Sequence, residues 1–153
     1  MNIIVFGATG SIGALTVLKL LESGHSVTAF ARQPHALQFE HPDLKRVAGD
    51  VTNPADVCLA TAGSDAVIIT LGSGNTRSSR VRSEGTKQII AAMERYDVKR
   101  LVCQTTLGAG DSWSNLNFFW KRIMFGVLLR PVFEDHERQE QLVKASNLDW
   151  TIV

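Results

Sequence analysis

The chain has 153 residues, a formal net charge of +1 and 44% hydrophobic residues. This length fits one domain with a substantial core, and the charge argues against a nucleic-acid or membrane-surface role that depends on bulk charge. The most apolar segment, 116–129, contains Lys121 and Arg122 and is shorter than the ~20 residues of a membrane span. Cys58 and Cys103 lie far apart in apolar surroundings, which predicts free thiols in a cytoplasmic protein.

Strand and helix patterns alternate along the whole chain, which is typical of a parallel sheet covered on both faces. The predicted strands are 2–6, 26–31, 45–48, 66–70, 100–104 and 150–153. The predicted helices are 11–22, 55–62, 80–96, 115–129 and 132–146. With right-handed crossovers, this succession predicts a single α/β domain over residues 1–153, a doubly wound Rossmann sheet with the strand order 3-2-1-4-5-6.

The first strand runs into three glycines, Gly7, Gly10 and Gly13, and a helical pattern follows. The first N–H groups of a helix have no partner within it and lie at the positive end of its dipole, so they can bind a phosphate. We expect Gly7 to permit a tight turn and Gly10 to let the backbone approach a diphosphate. Gly13 would let the helix pack closely on the strand. Thr9 and Ser11 would add hydroxyl donors. A simple strand-to-helix turn is the alternative.

The ends of the second and third strands predict the adenosine side of a dinucleotide site. NAD enzymes usually carry an Asp or Glu after the second strand, whereas this chain has Arg32 and no carboxylate before Glu40. Arg32 can pair with a 2′-phosphate, which predicts NADP rather than NAD; a solvated arginine is the alternative. Asp50 is expected either to accept from the adenine amino group or to cap the next helix, with Val51 against the ring.

Small and polar residues also end the fourth and fifth strands. Gly72 and Gly74 would let a flat dinucleotide lie against the backbone, with Ser73 or Asn75 bonding a ribose or phosphate; a plain loop is the alternative. Thr105 and Thr106 end the fifth strand, where a hydroxyl would lie near the nicotinamide and polarise or protonate a substrate. Threonines buried and bonded to backbone are the alternative for this pair.

His136 is the one ionisable group that we predict as a proton donor, because imidazole titrates near neutral pH. A solvated helix start is the alternative, since acidic and basic residues surround it. The pairs Glu134/Arg138 and Glu140/Lys144 are four residues apart and predict a solvated face on this helix. The remaining histidines show no metal-ligand spacing, so no metal is expected.

Six of the eleven aromatic residues lie between 113 and 133: Trp113, Phe118, Phe119, Trp120, Phe125 and Phe133. Such a concentration can form the wall of a pocket for a flat conjugated substrate. It can equally belong to the core or to a dimer face, so monomer and homodimer both stay open.

Together these residues resemble the atypical short-chain dehydrogenase/reductases, in the NAD(P)H-binding, NmrA-like branch of the flavin reductase/biliverdin reductase B type. The segments that carry the resemblance are 7–13, 31–32, 49–51, 65–68, 83–93, 98–102 and 135–153. In this family the chain normally continues into a proline-bearing segment that completes the substrate pocket, and we expect that segment to be missing after Val153.

The resemblance also implies roles for individual residues. The residues that would contact the diphosphate are Gly7, Thr9, Gly10, Ser11 and Ile12. Arg32 would contact the 2′-phosphate, and Asp50 and Val51 would hold adenine. Leu71 and Gly72 would line the ribose side. Thr106 stands where flavin reductase-like enzymes carry a serine near the nicotinamide.

The Tyr-x-x-x-Lys pair of most short-chain enzymes is missing, because the one tyrosine, Tyr96, precedes the fifth strand. Alcohol oxidation is therefore disfavoured, as is epimerisation of a nucleotide sugar. The resemblance implies instead an NADPH-dependent reductase that passes hydride to a flavin, a quinone or a similar conjugated acceptor. A non-catalytic NADP(H)-binding redox sensor is the alternative.

Overall fold

The computed structural model describes residues 1–72, 80–106 and 130–153. The strands of this part are β1 (Asn2–Phe6), β2 (Ser26–Ala31), β3 (Leu44–Ala48), β4 (Ala66–Ile69), β5 (Arg100–Cys103) and β6 (Asp149–Ile152). Its helices are α1 (Ser11–Glu22), α2 (Pro54–Thr61), α3 (Val81–Arg95) and α4 (Arg130–Ala145), with a short 3-10 helix at Pro34–Ala36.

The six strands form one parallel sheet in the order β3-β2-β1-β4-β5-β6. Ile3 of β1 lies opposite Val27 of β2 on one side and Ala66 of β4 on the other. The chain therefore moves outward from β1 to β3 and then returns to the other side of β1. This confirms the predicted Rossmann topology, and it places a crevice at the carboxyl ends of β1 and β4, where the strand order reverses.

Both faces of the sheet are buried, which explains the continuous apolar runs of the central strands. On one face, side chains such as Phe6, Ile69 and Leu101 pack with residues of α2, α3 and α4. On the other face, Val5 and Val27 pack with residues of α1. The sheet thus holds the strand ends, and the loops that follow them, in fixed positions.

Element boundaries differ from the predictions by one or two residues. Asn53 caps the N-terminus of α2, since its Oδ1 accepts from the Ala55 N–H at 2.9 Å. Helix α4 begins at Arg130, two residues earlier than predicted, because proline at position 131 is tolerated in a first turn. The predicted helix 115–129 lies outside the described residues. Among the described helices, none combines the length and apolar character that crossing a membrane requires.

Candidate functional site

A cleft of about 920 Å³ opens at the carboxyl ends of the central strands, which is the expected position for a ligand in an open α/β sheet. Its volume lies within the usual range for small-molecule and cofactor sites. The described residues that line it are Gly7, Thr9, Gly10, Ser11, Ile12, Phe30, Ala31, Arg32, Gly49, Asp50, Val51, Thr52, Thr70, Leu71, Gly72, Arg80, Val81, Arg82, Glu84, Gln104, Thr105, Thr106 and His136.

Most of the predicted site residues meet in this cleft. They are Gly7, Thr9, Gly10, Ser11, Ile12, Arg32, Asp50, Val51, Leu71, Gly72, Thr105, Thr106 and His136. Gly13 is buried behind the cleft and does not line it. Ser73 lies outside the described residues, as do the predicted aromatic residues of the segment 113–125.

The loop after β1 contains a glycine that the backbone requires. Gly7 has φ +85°, and a Cβ there would lie 2.6 Å from the Thr70 carbonyl oxygen. The Gly7 N–H donates to the Phe30 carbonyl at 3.1 Å, and the Thr70 hydroxyl donates to the Phe6 carbonyl at 3.0 Å. These bonds fasten the loop to both neighbouring strands, so its shape is fixed before any ligand binds.

The first turn of α1 is open toward the cleft. Gly10 is its N-cap, with no side-chain cap and no acidic residue in the first turn. The Ala14 N–H donates to the Gly10 carbonyl at 2.8 Å, so the amides of residues 11–13 precede the hydrogen-bond ladder of the helix. Within 4 Å and among the described residues, a Cβ on Gly10 would meet the Gly7 carbonyl oxygen alone, at 3.4 Å. Free amides, a positive dipole end and an open backbone fit a diphosphate group.

Gly13 serves packing within this loop. A Cβ at this position would collide with the carbonyl oxygen of Gly7 and lie 2.8 Å from the Thr70 hydroxyl. The glycine therefore lets α1 begin directly against the loop and against the end of β4.

Arg32 and Asp50 line the part of the cleft beyond β2 and β3. Arg32 is exposed, and within the described part of the chain it makes no ion pair. Asp50 Oδ1 accepts from the N–H and the hydroxyl of Thr52, each at 2.8 Å. These bonds, with a smaller contribution from the charge of Arg32, hold the pKa of Asp50 below its usual value. The cap alternative for Asp50 is wrong, because Asn53 caps α2.

The opposite wall of the cleft is built where α3 packs on α4. Asp135 is 1% exposed and accepts from the N–H groups of Arg82 (3.2 Å) and Ser83 (3.1 Å) and from the Ser83 hydroxyl. Arg80, the N-cap residue of α3, provides no side-chain cap. Asp135 therefore caps α3 from a neighbouring helix. The solvated helix start considered for this segment is wrong at Asp135 and His136, because both are buried.

Two further side chains of α4, those of Gln139 and Glu140, form hydrogen bonds within the same wall of the cleft. Glu140 is 6% exposed, and its Oε1 accepts from the Thr105 hydroxyl at 2.9 Å. Gln139 Nε2 donates to the Thr86 hydroxyl at 3.1 Å. The Glu140–Lys144 pair forms at 3.4 Å, yet its carboxylate faces the interior rather than the predicted solvated face. The buried Thr105 hydroxyl therefore has its shorter contact with a carboxylate and a longer one, at 3.4 Å, with the Thr106 backbone carbonyl.

His136 is 6% exposed and lines the cleft. Burial, and to a smaller extent the charge of Arg82, lower the pKa of His136 to about 4, although Asp135 acts in the opposite direction. The expectation that this imidazole titrates near neutral pH is therefore wrong, and the ring is neutral at pH 7.

Sequence reasoning missed Arg82, Asp135 and Glu140. The spacing of residues in α4 could have indicated this contact. Four of its buried residues follow one another at spacings of three and four: Phe133, His136, Glu140 and Val143. Polar residues at two positions of such a stripe indicate a polar helix–helix contact.

Tyr96 follows the last turn of α3 and precedes the amino end of β5, so it does not line the cleft; its hydroxyl lies 3.4 Å from Cys58 Sγ. Across the described residues, no group of three His, Cys, Asp or Glu side chains is suited to a metal ion.

Comparison with known proteins agrees with this geometry. A family model described as NAD(P)H-binding matches residues 7–153. The chain is 42% identical over 113 residues to the 3-beta-hydroxysteroid dehydrogenase of Mycolicibacterium neoaurum, a match that covers 66% of this chain and 31% of that protein. It is 25% identical to ChuY, described as an anaerobillin reductase from Escherichia coli O157:H7, with a TM-score of 0.79 over 99% of this chain and 71% of that one.

The oxidoreductase ylbE of Lactococcus lactis superposes with a TM-score of 0.84 at 23% identity, over 99% of this chain and 67% of that one, and shows the fold alone. The chain spans about a third of the length of the curated relatives that it matches at 30% identity or more. Its predicted resemblance to the atypical short-chain reductases is confirmed. The chain therefore belongs to the NAD(P)H-binding family of Rossmann-fold proteins.

Proposed function

We propose that this protein is an NADPH-dependent reductase that passes hydride to a flavin, a quinone or a similar conjugated acceptor. The observation that carries the proposal is the uncapped first turn of α1 on the same cleft as the exposed Arg32. Relatives and structural neighbours described as dehydrogenases and reductases support oxidoreductase chemistry in general.

In this proposal the two sides of the cleft hold different parts of the cofactor. The amides of Ser11 and Ile12 bind the diphosphate, and Thr9 adds a hydroxyl donor. Arg32 binds the 2′-phosphate through charge-assisted hydrogen bonds, which a guanidinium makes well because of its planar fork. Val51 packs against adenine, and Asp50, kept ionised by Thr52, accepts from the adenine amino group.

Bound NADPH supplies the hydride, so the protein has only to orient the acceptor and to stabilise its developing charge. Thr106 is half-buried and follows β5 on the cleft wall. We assign its hydroxyl as the hydrogen-bond donor to the reacting oxygen of the acceptor. His136 contributes as a neutral imidazole and does not deliver a proton as imidazolium at pH 7. The proton that completes reduction of a quinone or flavin then comes from water.

Replacement of Arg32 tests the cofactor preference. Arg32→Ala is expected to weaken NADPH binding by roughly 10- to 100-fold, which corresponds to one charge-assisted phosphate contact, and to change NADH binding by less than about 3-fold. Titration calorimetry with each coenzyme measures both constants. Arg95→Ala is the control, because this exposed arginine lies at the far end of α3. An equal loss for NADPH and NADH would show that Arg32 does not select the 2′-phosphate.

A redox sensor that binds NADP(H) without turnover is the second candidate. It is favoured by the position of Tyr96, which lies before the amino end of β5 and not on the cleft, so that it cannot act there as the usual tyrosine acid. Loss of NADPH absorbance in the presence of menadione or riboflavin separates the two candidates. Turnover supports the reductase, whereas micromolar binding of NADPH without turnover of any acceptor in a wider panel supports the sensor.

A further inference from the structure

Two buried, nitrogen-bearing side chains lie side by side on the α3–α4 wall of the cleft. Arg82 and His136 are 8% and 6% exposed, and both line the cavity. Within the described part of the chain, Nε and Nη1 of Arg82 and Nδ1 of His136 have no hydrogen-bond partner. Nearly all buried polar atoms in proteins are paired with protein, water or ligand. Three unpaired nitrogens at one place on a cleft wall therefore point to a ligand.

The neighbouring carboxylate does not satisfy the guanidinium. Asp135 Oδ2 lies 3.8 Å from Arg82 Nη1, which is too long for a hydrogen bond. The same carboxylate already accepts from two backbone N–H groups and from the Ser83 hydroxyl. Asp135 therefore balances the charge of Arg82 and leaves its donors available. Burial lowers the pKa of Arg82, but an arginine starts from so high a value that it stays charged at neutral pH.

The other charged groups on this wall do not neutralise Arg82. Glu140 is buried too, but its carboxylate accepts from the Thr105 hydroxyl at 2.9 Å and pairs with Lys144 at 3.4 Å. Arg80 and Glu84 also line the cleft from the start of α3, and both are exposed to solvent. Water and salt screen charges in such positions. Among the described residues of the wall, Arg82 is thus the buried cation, and a ligand anion placed beside it would be shielded from water.

We propose that Arg82 and His136 form a subsite for a carboxylate carried by the acceptor. The proposal deepens the reductase function and rests on it. A carboxylate is planar, carries one negative charge and accepts several hydrogen bonds, which matches the fork of a guanidinium. His136 adds a neutral N–H donor at the same place. A doubly charged phosphate fits less well, because Asp135 already offsets part of the positive charge of Arg82.

A matched pair of acceptors tests this subsite, namely a naphthoquinone with a propanoate side chain and its methyl ester. The wild-type protein is expected to reduce the carboxylate with a kcat/KM roughly 10- to 100-fold above that of the ester, the usual range for one buried charge-assisted contact. Arg82→Gln should remove that advantage, so that the carboxylate and the ester are reduced with similar kcat/KM. Arg95→Gln, at the other end of the same helix, should change neither.

A binding measurement gives a readout that does not require turnover. Calorimetry with benzoate and benzamide, in the presence of NADP⁺, should show benzoate bound more tightly by the wild type and not by Arg82→Gln. If Arg82→Gln does not fold by circular dichroism, Arg82→Lys retains the charge with a different donor geometry and should lose part of the benzoate preference. Equal binding of the two probes, or equal reduction of the two acceptors, by the wild type would overturn the subsite.

Failure of the subsite and failure of the reductase give different results. A reductase without this subsite would reduce the carboxylate and its ester alike. A subsite in a protein that is not a reductase would still bind benzoate in an Arg82-dependent manner, with no oxidation of NADPH by either acceptor.

Discussion

The two walls of the cleft are built by different means. The wall formed by residues 7–13, here called the glycine wall, consists of backbone, and its shape depends on where a Cβ cannot fit. The wall where α3 meets α4, here called the polar seam, consists of three side-chain contacts: Asp135 with Ser83, Gln139 with Thr86, and Glu140 with Thr105. The glycine wall is a local structure, whereas each contact of the polar seam joins residues more than 30 positions apart.

This difference has consequences for stability and for specificity. Steric restraints of the glycine wall do not depend on pH, and they suit a cofactor whose diphosphate is the same in every protein. Buried charges of the polar seam are costly to leave unpaired, so that wall is sensitive to single substitutions and to protonation. Substitutions on each wall test this difference.

The largest effect is expected at the polar seam. Asp135→Ala removes the cap of α3 and leaves the charge of Arg82 buried without a counter-ion, which should lower the free energy of unfolding by about 3–5 kcal/mol. Urea denaturation followed by circular dichroism measures the loss. Asp149→Ala is the matched control, because its pair with Arg100, at 3.5 Å, is exposed. That pair should contribute at most about 1 kcal/mol.

Similar losses for the two aspartates would mean that Asp135 is no more important than a surface ion pair. Asp135→Asn should recover part of the stability, since an amide oxygen can still accept from the amides of α3, whereas it cannot balance the charge of Arg82.

The next largest effect is expected at the glycine wall. Gly7→Ala imposes strain at φ +85° and also places a Cβ 2.6 Å from the Thr70 carbonyl oxygen, so it should cost about 2–4 kcal/mol. Gly24→Ala isolates the strain, because Gly24 has φ +77° and a Cβ there would have no neighbour within 4 Å. That variant should cost about 1 kcal/mol. Equal costs in urea denaturation would show that the turn lacks the steric restraint described here.

The same contrast explains how much could be predicted from the sequence. The sheet order and the glycine loop follow from patterns within short segments, and most of the predicted cofactor residues lie on the cleft. Charged neighbours around His136 suggested a solvated helix start, since opposite charges four residues apart are typical of exposed helices. Asp135 and Glu140 are buried instead, because their partners lie on α3 and after β5. The stripe on α4 indicates that Glu140 faces a neighbouring helix, but a local pattern does not identify those partners.

The two charge pairs of α4 show how far the four-residue spacing of opposite charges can predict structure. Glu134 and Arg138 lie 3.8 Å apart on the solvent side, as predicted, and Glu140 and Lys144 also pair. The spacing therefore predicted which charges meet, but it did not predict the direction in which Glu140 faces.

The smallest effect is a pH dependence of stability, which comes from His136 beside Asp135 of the polar seam and not from the glycine wall. The pKa of His136 is about 4 in the folded protein, compared with an ordinary value near 6.5. As the pH falls below about 6.5, the unfolded chain takes up a proton that the folded protein excludes, so stability is lost down to about pH 4. Between pH 7 and pH 5 the free energy of unfolding should fall by about 2 kcal/mol from this group.

Urea denaturation at the two pH values, compared between the wild type and His136→Gln, measures that contribution. The charged groups beside His136 are Arg82 of α3 and Asp135 of α4, and both remain in the variant. Because the three other histidines are also common to the two proteins, the difference between their pH dependences isolates His136. The glycine-wall variant Gly7→Ala should retain the full wild-type pH dependence. If His136→Gln does not reduce the change of unfolding free energy with pH, the imidazole is solvated in the folded protein. That result would contradict the burial of His136 in this wall.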